Sequence, residues 1–318
     1  MMKWNDKRYH SLDYDLKERF GQKVYKVSLD AGFTCPNRDG TIGRGGCIFC
    51  SEGGSGDFAS SHMKSITGQI EEGKERVRKK TKEDAFIAYF QAFTNTYGPV
   101  SYLREIFMEA IHHPDIVALS IATRPDCLPD DVITLLDELN QIKPVFIELG
   151  FQTSNEKTAA FIRRGYDNAV LEEAVAKLDA ISIPVILHII LGLPYETKED
   201  IRATIEYVCS LKISGLKLQL MHILKNTELA DLYEIHPEIF HMMDFEAYLD
   251  MLIECISIIP EHIVLHRITG DGPKNLLIAP LWSGDKKRVF NTIQMELARR
   301  DIWQGKGILH AVRNTDAL

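Results

Sequence analysis

The stretch AFIAYFQAFTNTYGPVSYLREIFMEAIHHPDIVALSIA (residues 85–122) contains the repeating unit that decides the fold. It opens with an apolar run at Ala85–Gln91, continues with a helical pattern over Val100–His112, and closes with a second apolar run at Ile116–Ala122. Short apolar runs that alternate with helices of ten or more residues are typical of parallel strands covered by helices. The stretch therefore predicts a strand–helix–strand unit of a parallel sheet.

The same alternation extends in both directions along the chain. Apolar runs separated by helical patterns predict six strands, at Val24–Leu29, Ala85–Gln91, Ile116–Ala122, Val145–Gly150, Pro184–Leu191 and Gly215–Met221. Six such units favour a β/α barrel over an open doubly wound sheet, and the dinucleotide fingerprint G-x-G-x-x-G is absent after the first strand. The sequence thus predicts the α/β class, with a partial (β/α)6 barrel over residues 1–225 and an α/β extension packed on it over residues 226–318.

The composition is typical of a soluble globular protein. Hydrophobic residues make up 45% of the 318 residues and charged residues 26%. The longest apolar run, Ile181–Leu193, is interrupted by polar residues and proline and is too short to cross a bilayer. No apolar stretch follows Met1–Arg8, as a signal peptide would require. We therefore expect a cytoplasmic protein without a membrane partner.

The net charge of −8 argues against a protein that coats nucleic acid non-specifically. Basic residues nonetheless cluster locally, and six of the nine residues in Lys74–Lys82 are Lys or Arg. Smaller groups occur at Arg163–Arg164, Lys286–Arg288 and Arg299–Arg300. Each cluster alone is typical of a solvated helix surface. Together they leave an RNA substrate open.

Three of the six cysteines lie in the segment CPNRDGTIGRGGCIFC, which runs from Cys35 through Cys47 to Cys50. A C-x-x-C pair puts two thiolates on one tight turn, and the glycines allow the chain to fold back to the third. Structural zinc normally has four ligands, and a disulfide is disfavoured in a reducing compartment. A cubane [4Fe–4S] cluster held by three cysteines leaves one iron open to another ligand. The count therefore favours such a cluster, with zinc as the alternative.

The segment resembles the cluster loop of the radical S-adenosylmethionine (SAM) superfamily, including an aromatic residue, Phe49, just before the last cysteine. Its spacing departs from the superfamily's commonest C-x3-C-x2-C. It is similar instead to the longer loops of the branch related to the Elongator catalytic subunit, and in particular to the YhcC/YtqA family. The segments KVSLDAGFTCPNRDGT, GRGGCIFCSEGG, AYFQAFTNTY, ATRPDCL and RITGD are similar to that family too. The resemblance covers nearly the whole chain.

The resemblance implies two cofactors and an electron donor. Cys35, Cys47 and Cys50 are expected to hold a [4Fe–4S] cluster, with SAM bound at its open iron. Transfer of one electron to SAM then yields methionine and a 5′-deoxyadenosyl radical, which abstracts a hydrogen atom from the substrate. A flavodoxin- or ferredoxin-type protein is the expected electron donor.

Polar residues that follow the predicted strands are the candidates for binding SAM, because the active site of a β/α barrel lies at the carboxyl ends of its strands. Arg124 and Arg164 are candidates for the methionine carboxylate or the substrate, since a guanidinium binds carboxylates through two donors; surface ion pairs are the alternative. The resemblance to the Elongator-like segment E-L-G-x-Q implies that Glu148 and Gln152 face the barrel lumen and contact the nucleoside. For Glu148, a buried ion pair with Arg124 is the alternative. The resemblance also implies that Gln91, Thr94 and Asn95 hold the methionine ammonium, with a capped turn as the alternative, and that the G-L-P turn lines the adenine. The full set is Gln91, Thr94, Asn95, Arg124, Glu148, Gln152, Arg164, Gly192, Leu193 and Pro194.

Three further residues are candidates for catalysis. Asp271, in the turn that begins at Arg267, is the candidate proton-transfer group, and this charged turn is expected to cap the barrel lumen. An ordinary capped turn is the alternative there. Cys127 follows the third strand and is a candidate for returning a hydrogen atom or electron, with a buried structural thiol as the alternative.

The resemblance also implies a substrate. Kinship with the Elongator-like branch implies modification of a wobble uridine side chain in transfer RNA. Within that branch, similarity to the YtqA type suggests conversion of 5-carboxymethylaminomethyluridine to 5-aminomethyluridine. Two alternatives stay open, a radical enzyme that acts on a small-molecule carboxylate and a non-catalytic iron–sulfur or zinc protein.

Overall fold

The computed structural model describes residues 4–51, 53, 54, 62–79, 84–270 and 272–308. The strands found there are β1 Tyr25–Leu29, β2 Phe86–Phe90, β3 Ile116–Thr123, β4 Val145–Gln152, β5 Val185–Leu191, β6 Gly215–Leu220, β7 Ile223–Leu224, β8 Val264–Arg267 and β9 Leu277–Ala279. The helices are α1 Leu12–Phe20, α2 Ile66–Arg78, α3 Val100–Ile111, α4 Asp130–Ile142, α5 Glu156–Phe161, α6 Asn168–Ala180, α7 Lys198–Ser210, α8 Glu228–Ile235, α9 Phe245–Ile258 and α10 Lys286–Arg299.

Seven strands hydrogen-bond in the order β1-β2-β3-β4-β5-β6-β8, and β7 and β9 form a separate antiparallel pair. The pairings β1–β2, β2–β3, β3–β4 and β6–β8 are parallel. Neighbouring strands from β1 to β6 follow one another in the sequence, with at least one helix between each pair. This is the strand order of a partial β/α barrel, which confirms the predicted fold class. The seventh strand, β8, comes from beyond residue 225.

The strand–helix–strand unit over residues 85–122 forms as predicted because its strands are covered on both faces. Every residue of β2 is buried. Phe90 at its end packs edge-to-face on Phe107 of α3, with 5.0 Å between the ring centroids, and both rings are fully buried. This geometry is favoured for aromatic pairs, so it adds to the stabilisation that burial alone provides.

Two compact units divide the chain. The first, here called the cysteine unit, comprises Leu16–Phe151 and Arg163–Leu187. The second, here called the terminal unit, comprises Met1–Asp15, Gln152–Ile162 and His188–Leu318. These bounds differ from those of the predicted barrel (residues 1–225) and extension (residues 226–318), which stay a prediction.

Helix α7 of the terminal unit begins at a capping box that also orders a neighbouring loop. The Thr197 side chain accepts from the Asp200 N–H, and the Asp200 carboxylate accepts from the Thr197 N–H at 2.9 Å. Asp200 also accepts from the side-chain amide of Asn155 at 3.0 Å, in the loop that follows β4. One carboxylate therefore starts a helix and holds a loop at the carboxyl end of a strand. None of the helices in the described residues is both long and apolar enough to span a bilayer.

Candidate cofactor site

The segment Cys35–Cys50 lies after β1 and folds back on itself. The N–H of Gly46 donates to the carbonyl of Asn37 at 2.9 Å, which closes the return between the two ends of the segment. The N–H of Cys50 donates to the carbonyl of Cys47 at 3.0 Å, so the C-x-x-C pair forms the predicted tight turn. Backbone hydrogen bonds therefore hold the cysteine-bearing ends of the loop together.

Two glycines of this return are constrained by their surroundings, for different reasons. Gly46 has φ +90°, a left-handed conformation, and a Cβ there would lie 2.9 Å from the Nε of Arg38. Gly43 has an ordinary backbone, but a Cβ there would lie 2.6 Å from the Oδ1 of Asn37. A side chain at Gly46 would therefore require a strained backbone, and one at Gly43 would displace the amide of Asn37.

The three thiols are free, half-buried and electrostatically linked. A hydrogen bond from Cys50 lowers the pKa of the Cys47 thiol to about 7, and the positive charges of Arg124 and Arg38 act in the same direction. The same hydrogen bond, together with burial, raises the pKa of Cys50. Cations that favour a thiolate also favour the form of cysteine that binds iron. This donor set fits a [4Fe–4S] cluster, for which Cys35, Cys47 and Cys50 stay the predicted ligands.

Arg124 lies directly after β3, and all three nitrogens of its guanidinium donate to protein groups. Its Nε and Nη2 form a two-pronged ion pair with Asp126 at 2.9 and 2.7 Å, and its Nη1 donates to the carbonyl of Arg164 at 2.9 Å. Burial opposes its charge, but the Asp126 carboxylate outweighs burial, so the pKa of Arg124 is raised. Arg124 thus holds the turn at Arg164 within the cysteine unit. Its predicted contact with a carboxylate of SAM or the substrate stays a prediction.

Arg164 is one of the largest fully buried side chains, with 1% of its surface exposed. Its Nε donates to the carbonyl of Tyr166 at 2.9 Å, and its guanidinium lies 4.9 and 4.6 Å from the ring centroids of Phe151 and Tyr166. The surface ion pair considered as its alternative role is therefore wrong, because the cation is desolvated and stabilised by carbonyl dipoles and aromatic rings. Its predicted binding role stays a prediction.

The loop after β2 contacts the start of the cysteine segment. Thr94 is buried, and its N–H donates to the carbonyl of Thr34 at 3.2 Å, one residue before Cys35. Gln91 begins the loop, half-buried, with its N–H bonded to the carbonyl of Leu29 at 3.4 Å. The structure thus brings two of the predicted SAM-binding positions next to the proposed cluster loop.

Asn95 has a buried acceptor without a donor. Its amide Nδ2 donates to the carbonyls of Ala92 and Ala122 at 3.0 and 2.9 Å, and the residue is fully buried. Within the described residues, its Oδ1 has no hydrogen-bond partner. An unmatched buried acceptor costs about 1–3 kcal/mol, so it is a natural place for a donor from a ligand. The methionine ammonium predicted for this position would be such a donor.

Glu148 is fully buried in β4, and its partner differs from the one considered above. Its Oε1 lies 2.5 Å from the Nζ of Lys26 and accepts from the Ser120 hydroxyl at 2.7 Å. The expected alternative of an ion pair with Arg124 is therefore wrong. Arg124 lies beyond the end of β3 and pairs locally with Asp126, whereas the long side chain of Lys26 reaches Glu148 from β1. The contact of Glu148 with the nucleoside stays a prediction.

Cys127 lines a cavity of about 680 Å³ within the cysteine unit. The cavity is bounded by the loops after β1, β2 and β3 and by α6, through residues that include Pro36, Ile42, Tyr97, Asp126 and Lys177. Burial raises the pKa of the Cys127 thiol to about 12, so it keeps its proton at neutral pH. A protonated thiol is the form that a hydrogen-atom donor needs. The predicted role of Cys127 in returning a hydrogen atom or electron stays a prediction.

The predicted SAM-binding residues of the terminal unit lie at two turns. Gln152 ends β4 with φ +70°, a conformation uncommon for a side chain of its kind. Gly192 follows β5 with φ +86°, and a Cβ there would lie 2.8 Å from the Cε of Met243. Leu193 and Pro194 after it are buried. The G-L-P turn therefore requires its glycine, and its role in binding adenine stays a prediction.

Glu196 is a buried carboxyl group two residues after this turn. The hydroxyl of Thr153, after β4, donates to its Oε1 at 2.5 Å. Burial raises the pKa of Glu196 to about 7, and the Thr153 hydrogen bond only partly opposes this effect. The carboxyl group therefore connects the loops after β4 and β5 and titrates near neutral pH.

Of the two residues predicted in the turn after β8, one is described. Arg267 ends β8 and is half-buried. Asp271 lies outside the described residues. The glycines on either side of it pack against the imidazole of His222, since a Cβ on Gly270 would lie 2.4 Å from its Cε1 and a Cβ on Gly272 3.3 Å from its Cγ. The catalytic roles of Arg267 and Asp271 stay predictions.

The basic residues of α2 are paired with carboxylates. Lys74 is only 3% exposed. The ion pairs are Lys74–Glu71 (2.6 Å), Lys74–Asp115, Arg76–Glu72 (2.6 Å) and Arg78–Asp84 (2.9 Å). Lys80 and Lys82 lie outside the described residues. In the described part of Lys74–Lys82, three of the four basic residues are therefore paired with carboxylates, and Lys79 is exposed.

Sequence reasoning missed two residues of this site. Lys26 is a single cation within an apolar strand, which is a signal for a buried partner. Asn37 is buried two positions after Cys35 and contacts the sulfur of Cys47 at 3.5 Å. Nothing in the sequence distinguishes Asn37 from an ordinary turn residue.

The Radical SAM superfamily model matches residues 37–208, and the Radical_SAM C-terminal domain model matches residues 213–299. The chain therefore belongs to the radical SAM superfamily of enzymes. Members of this family use a [4Fe–4S] cluster and SAM.

Two relatives and one solved structure are similar over most of this chain. Protein YtqA of Bacillus subtilis (strain 168) is 47% identical over 301 residues, which are 95% of this chain and 93% of YtqA. Protein YhcC of Escherichia coli (strain K12) is 38% identical over 269 residues, which are 84% of this chain and 85% of YhcC. The structure of Elp3 from the archaeon Methanocaldococcus infernus, without its residues 1–46, superposes with a TM-score of 0.68 at 16% identity. It matches 88% of this chain, which spans 64% of that structure, and at this identity the likeness shows the fold.

Glu196 makes stability depend on pH. Its pKa is about 7 in the folded protein against an ordinary 4.5, so only the folded state holds this proton between these values, and stability falls as pH rises through them. Relative to Glu196→Gln, the wild type should lose about 3 kcal/mol of unfolding free energy between pH 4.5 and 8, at 1.36 kcal/mol per pKa unit. Urea unfolding at both pH values measures this difference. Glu199→Gln, at the exposed start of α7, is the control. Equal pH dependence in the wild type and Glu196→Gln would contradict the assignment.

Proposed function

We propose that Cys35, Cys47 and Cys50 hold a [4Fe–4S] cluster with SAM at its open iron, and that the enzyme modifies the wobble uridine of transfer RNA. The proposed reaction breaks the bond between the amine nitrogen and the carboxymethyl group of 5-carboxymethylaminomethyluridine, which releases the two-carbon fragment and leaves 5-aminomethyluridine. The closed cysteine loop, with its cationic surroundings, is the observation that carries the cluster assignment. The substrate assignment is supported by the resemblance to the Elongator-like branch and by the 47% identity with YtqA.

The chain's own residues bind, orient and protect the cofactors in this proposal. When bound, the cluster and SAM supply the one-electron cleavage that produces a 5′-deoxyadenosyl radical. Asn95 accepts a hydrogen bond from the methionine ammonium through its unmatched Oδ1. The buried Gly192–Pro194 turn lines the adenine and excludes water. Cys127, whose thiol keeps its proton at neutral pH, is the proposed residue for returning a hydrogen atom or electron. The remaining proposed contacts to SAM are Gln91, Thr94, Arg124, Glu148, Gln152 and Arg164, and Asp271 and Arg267 keep their predicted catalytic roles.

A second candidate function is radical chemistry on a small-molecule carboxylate. The cavity of about 680 Å³ beside the cysteine loop favours it, because small-molecule sites have volumes of about 300–1,000 Å³. Lys177 at the cavity wall supplies a cation for a carboxylate, although it already pairs with Asp130 and Glu173. The nucleoside profile of transfer RNA separates the two candidates.

The cluster assignment predicts that replacing Cys35, Cys47 and Cys50 together with Ala abolishes cluster binding, because iron loses its thiolate ligands. After anaerobic reconstitution, the variant should contain no stoichiometric iron or sulfide and show no visible iron–sulfur absorption. It should also form no 5′-deoxyadenosine from SAM under reducing conditions. Cys209→Ala and Cys255→Ala are matched controls on α7 and α9 that should keep the cluster. A brown, iron-containing triple variant would rule out this ligand set.

The substrate assignment predicts a change in the nucleosides of transfer RNA from a strain that lacks this protein. 5-Carboxymethylaminomethyl-type uridines should accumulate, and aminomethyl or methylaminomethyl forms should disappear, because the proposed step connects them. Mass spectrometry of digested total transfer RNA measures both. The wild-type gene should restore the profile and the triple cysteine variant should not. An unchanged profile, with no redundant enzyme present, would favour the small-molecule candidate.

The start of α10 is the proposed contact surface for transfer RNA. Lys286, Lys287 and Arg288 are consecutive and exposed, and the guanidinium of Arg288 lies 5.5 Å from the ring centroid of Phe245. Trp282 is a second, half-exposed aromatic residue, 5.2 Å from Phe245. Cations beside aromatic rings suit a nucleic acid, which offers phosphates and base faces together.

The basic residues at the end of this helix, Arg299 and Arg300, form ion pairs. Arg299 pairs with Glu296 at 2.7 Å, and Arg300 pairs with Asp250 and Glu296 at 2.6 and 2.9 Å. These ion pairs neutralise the basic residues at the end of α10. The proposed surface is therefore limited to the first turn and its aromatic neighbours.

Reversing the three charges at the start of α10 should weaken transfer RNA binding. Lys286→Glu, Lys287→Glu and Arg288→Glu together remove phosphate contacts, so affinity should fall about tenfold or more, and binding should depend less steeply on salt. Filter binding over a range of salt concentrations measures both effects. The matched control reverses three charges of α2, Arg76, Arg78 and Lys79, where Arg76 and Arg78 are already paired. A larger loss in the α2 variant would move the contact surface there.

A further inference from the structure

Asn37 uses both hydrogens of its side-chain amide next to a proposed cluster ligand. It is 4% exposed. Its Nδ2 donates to the sulfur of Cys47 at 3.5 Å and to the carbonyl of Arg163 at 2.5 Å. Both neighbours are acceptors, which identifies the atom that faces them as the nitrogen of the amide. An N–H···S hydrogen bond therefore connects a buried, neutral side chain to one of the three proposed ligands.

The position of this amide is determined from two sides. A Cβ on Gly43 would lie 2.6 Å from the Asn37 Oδ1, and a Cβ on Gly165 would lie 3.5 Å from the same atom. Arg124 donates to the carbonyl of Arg164, which holds the turn that carries the Arg163 carbonyl. The amide thus lies between a glycine of the cysteine loop and a turn that is bonded elsewhere in the cysteine unit. It has little freedom to rotate away from the sulfur.

The hydrogen bond from Asn37 becomes more important when Cys47 binds iron. The Cys47 thiol also donates to the Arg163 carbonyl at 3.4 Å. A ligand sulfur has lost its proton, so this second contact no longer stabilises it. The amide of Asn37 remains as a donor to the sulfur. A donor stabilises negative charge on sulfur, and an added electron increases that charge, so the reduced cluster benefits more than the oxidised one.

We infer that Asn37 raises the reduction potential of the [4Fe–4S] cluster through its hydrogen bond to Cys47. Asn37 is a positioning residue, since it acts through the ligand and touches neither SAM nor substrate in this role. The turn at Arg163–Gly165 holds its amide in place. The inference rests on the proposed assignment of Cys47 as a cluster ligand.

Two substitutions test this inference by different routes. Asn37→Leu keeps the branched shape of the side chain and removes the donor without adding charge. Gly43→Ala keeps the asparagine at position 37. The added Cβ would lie 2.6 Å from the Oδ1 of Asn37, so the Asn37 amide must shift from its place beside the sulfur of Cys47. Asn291→Leu makes the first chemical change at an exposed position of α10 and is the matched control. Iron and sulfide content and visible absorption show whether each reconstituted full-length variant carries the cluster.

The measurement is a potentiometric titration of the reconstituted cluster, followed by electron paramagnetic resonance of its reduced form. In Asn37→Leu and Gly43→Ala, the equilibrium constant for reduction should fall about tenfold, which is about 59 mV for a one-electron couple. Asn291→Leu should match the wild type. An Asn37→Leu protein with a full cluster and an unchanged potential overturns the inference. If Asn37→Leu does not assemble the cluster, an unchanged potential in Gly43→Ala overturns it instead. A cluster retained by the triple cysteine variant would mark the failure of the ligand assignment, which is a different result.

Discussion

The return of the cysteine loop is the constraint on which the proposed cofactor site depends. Twelve positions separate Cys35 from Cys47, and closing such a loop costs conformational entropy that increases only slowly with its length. The cost is offset by backbone hydrogen bonds such as that from Gly46 to Asn37, and by glycines where a Cβ would collide with a neighbour. Gly46 thus permits the left-handed backbone of the return, and Gly43 leaves room for the amide of Asn37.

Buried charge is the second organising feature, and each example in the cysteine unit has a specific partner. Lys26 meets Glu148, Arg124 meets Asp126, and Arg164 lies against two aromatic rings and backbone carbonyls. Removing one member of a buried pair leaves the other uncompensated, which typically costs more than the pair contributes to stability. These residues therefore hold the geometry around the cysteine loop whether or not they also contact SAM. The Oδ1 of Asn95 differs from them, because no hydrogen-bond donor contacts it among the described residues.

In the terminal unit, hydrogen bonds of two carboxyl groups with hydroxyl and amide side chains connect two turns. The Thr153 hydroxyl donates to Glu196, the Ser154 and Thr204 hydroxyls lie 3.0 Å apart, and Asn155 donates to Asp200. These contacts connect the turn after β4, where Gln152 has a positive φ, to the turn after β5, where Gly192 has one. Strained backbone persists only where its surroundings hold it, and such positions are concentrated at functional sites. The network supplies that support beside two of the segments that are proposed to bind SAM.

The sequence by itself determined the α/β class, the order of the first six strands and the spacing of the three clustered cysteines. Apolar periodicity and residue spacing are local properties, so they can be read directly from the sequence. The sequence did not determine which charges meet. Glu148 pairs with Lys26 across 122 positions, the cations of α2 are neutralised, and Glu196 is buried deeply enough to titrate near neutral pH. Asn37 is likewise an ordinary turn residue until Gly43 and Arg163 surround its amide. Burial and long-range contact depend on how distant segments pack, so only the tertiary structure decided them.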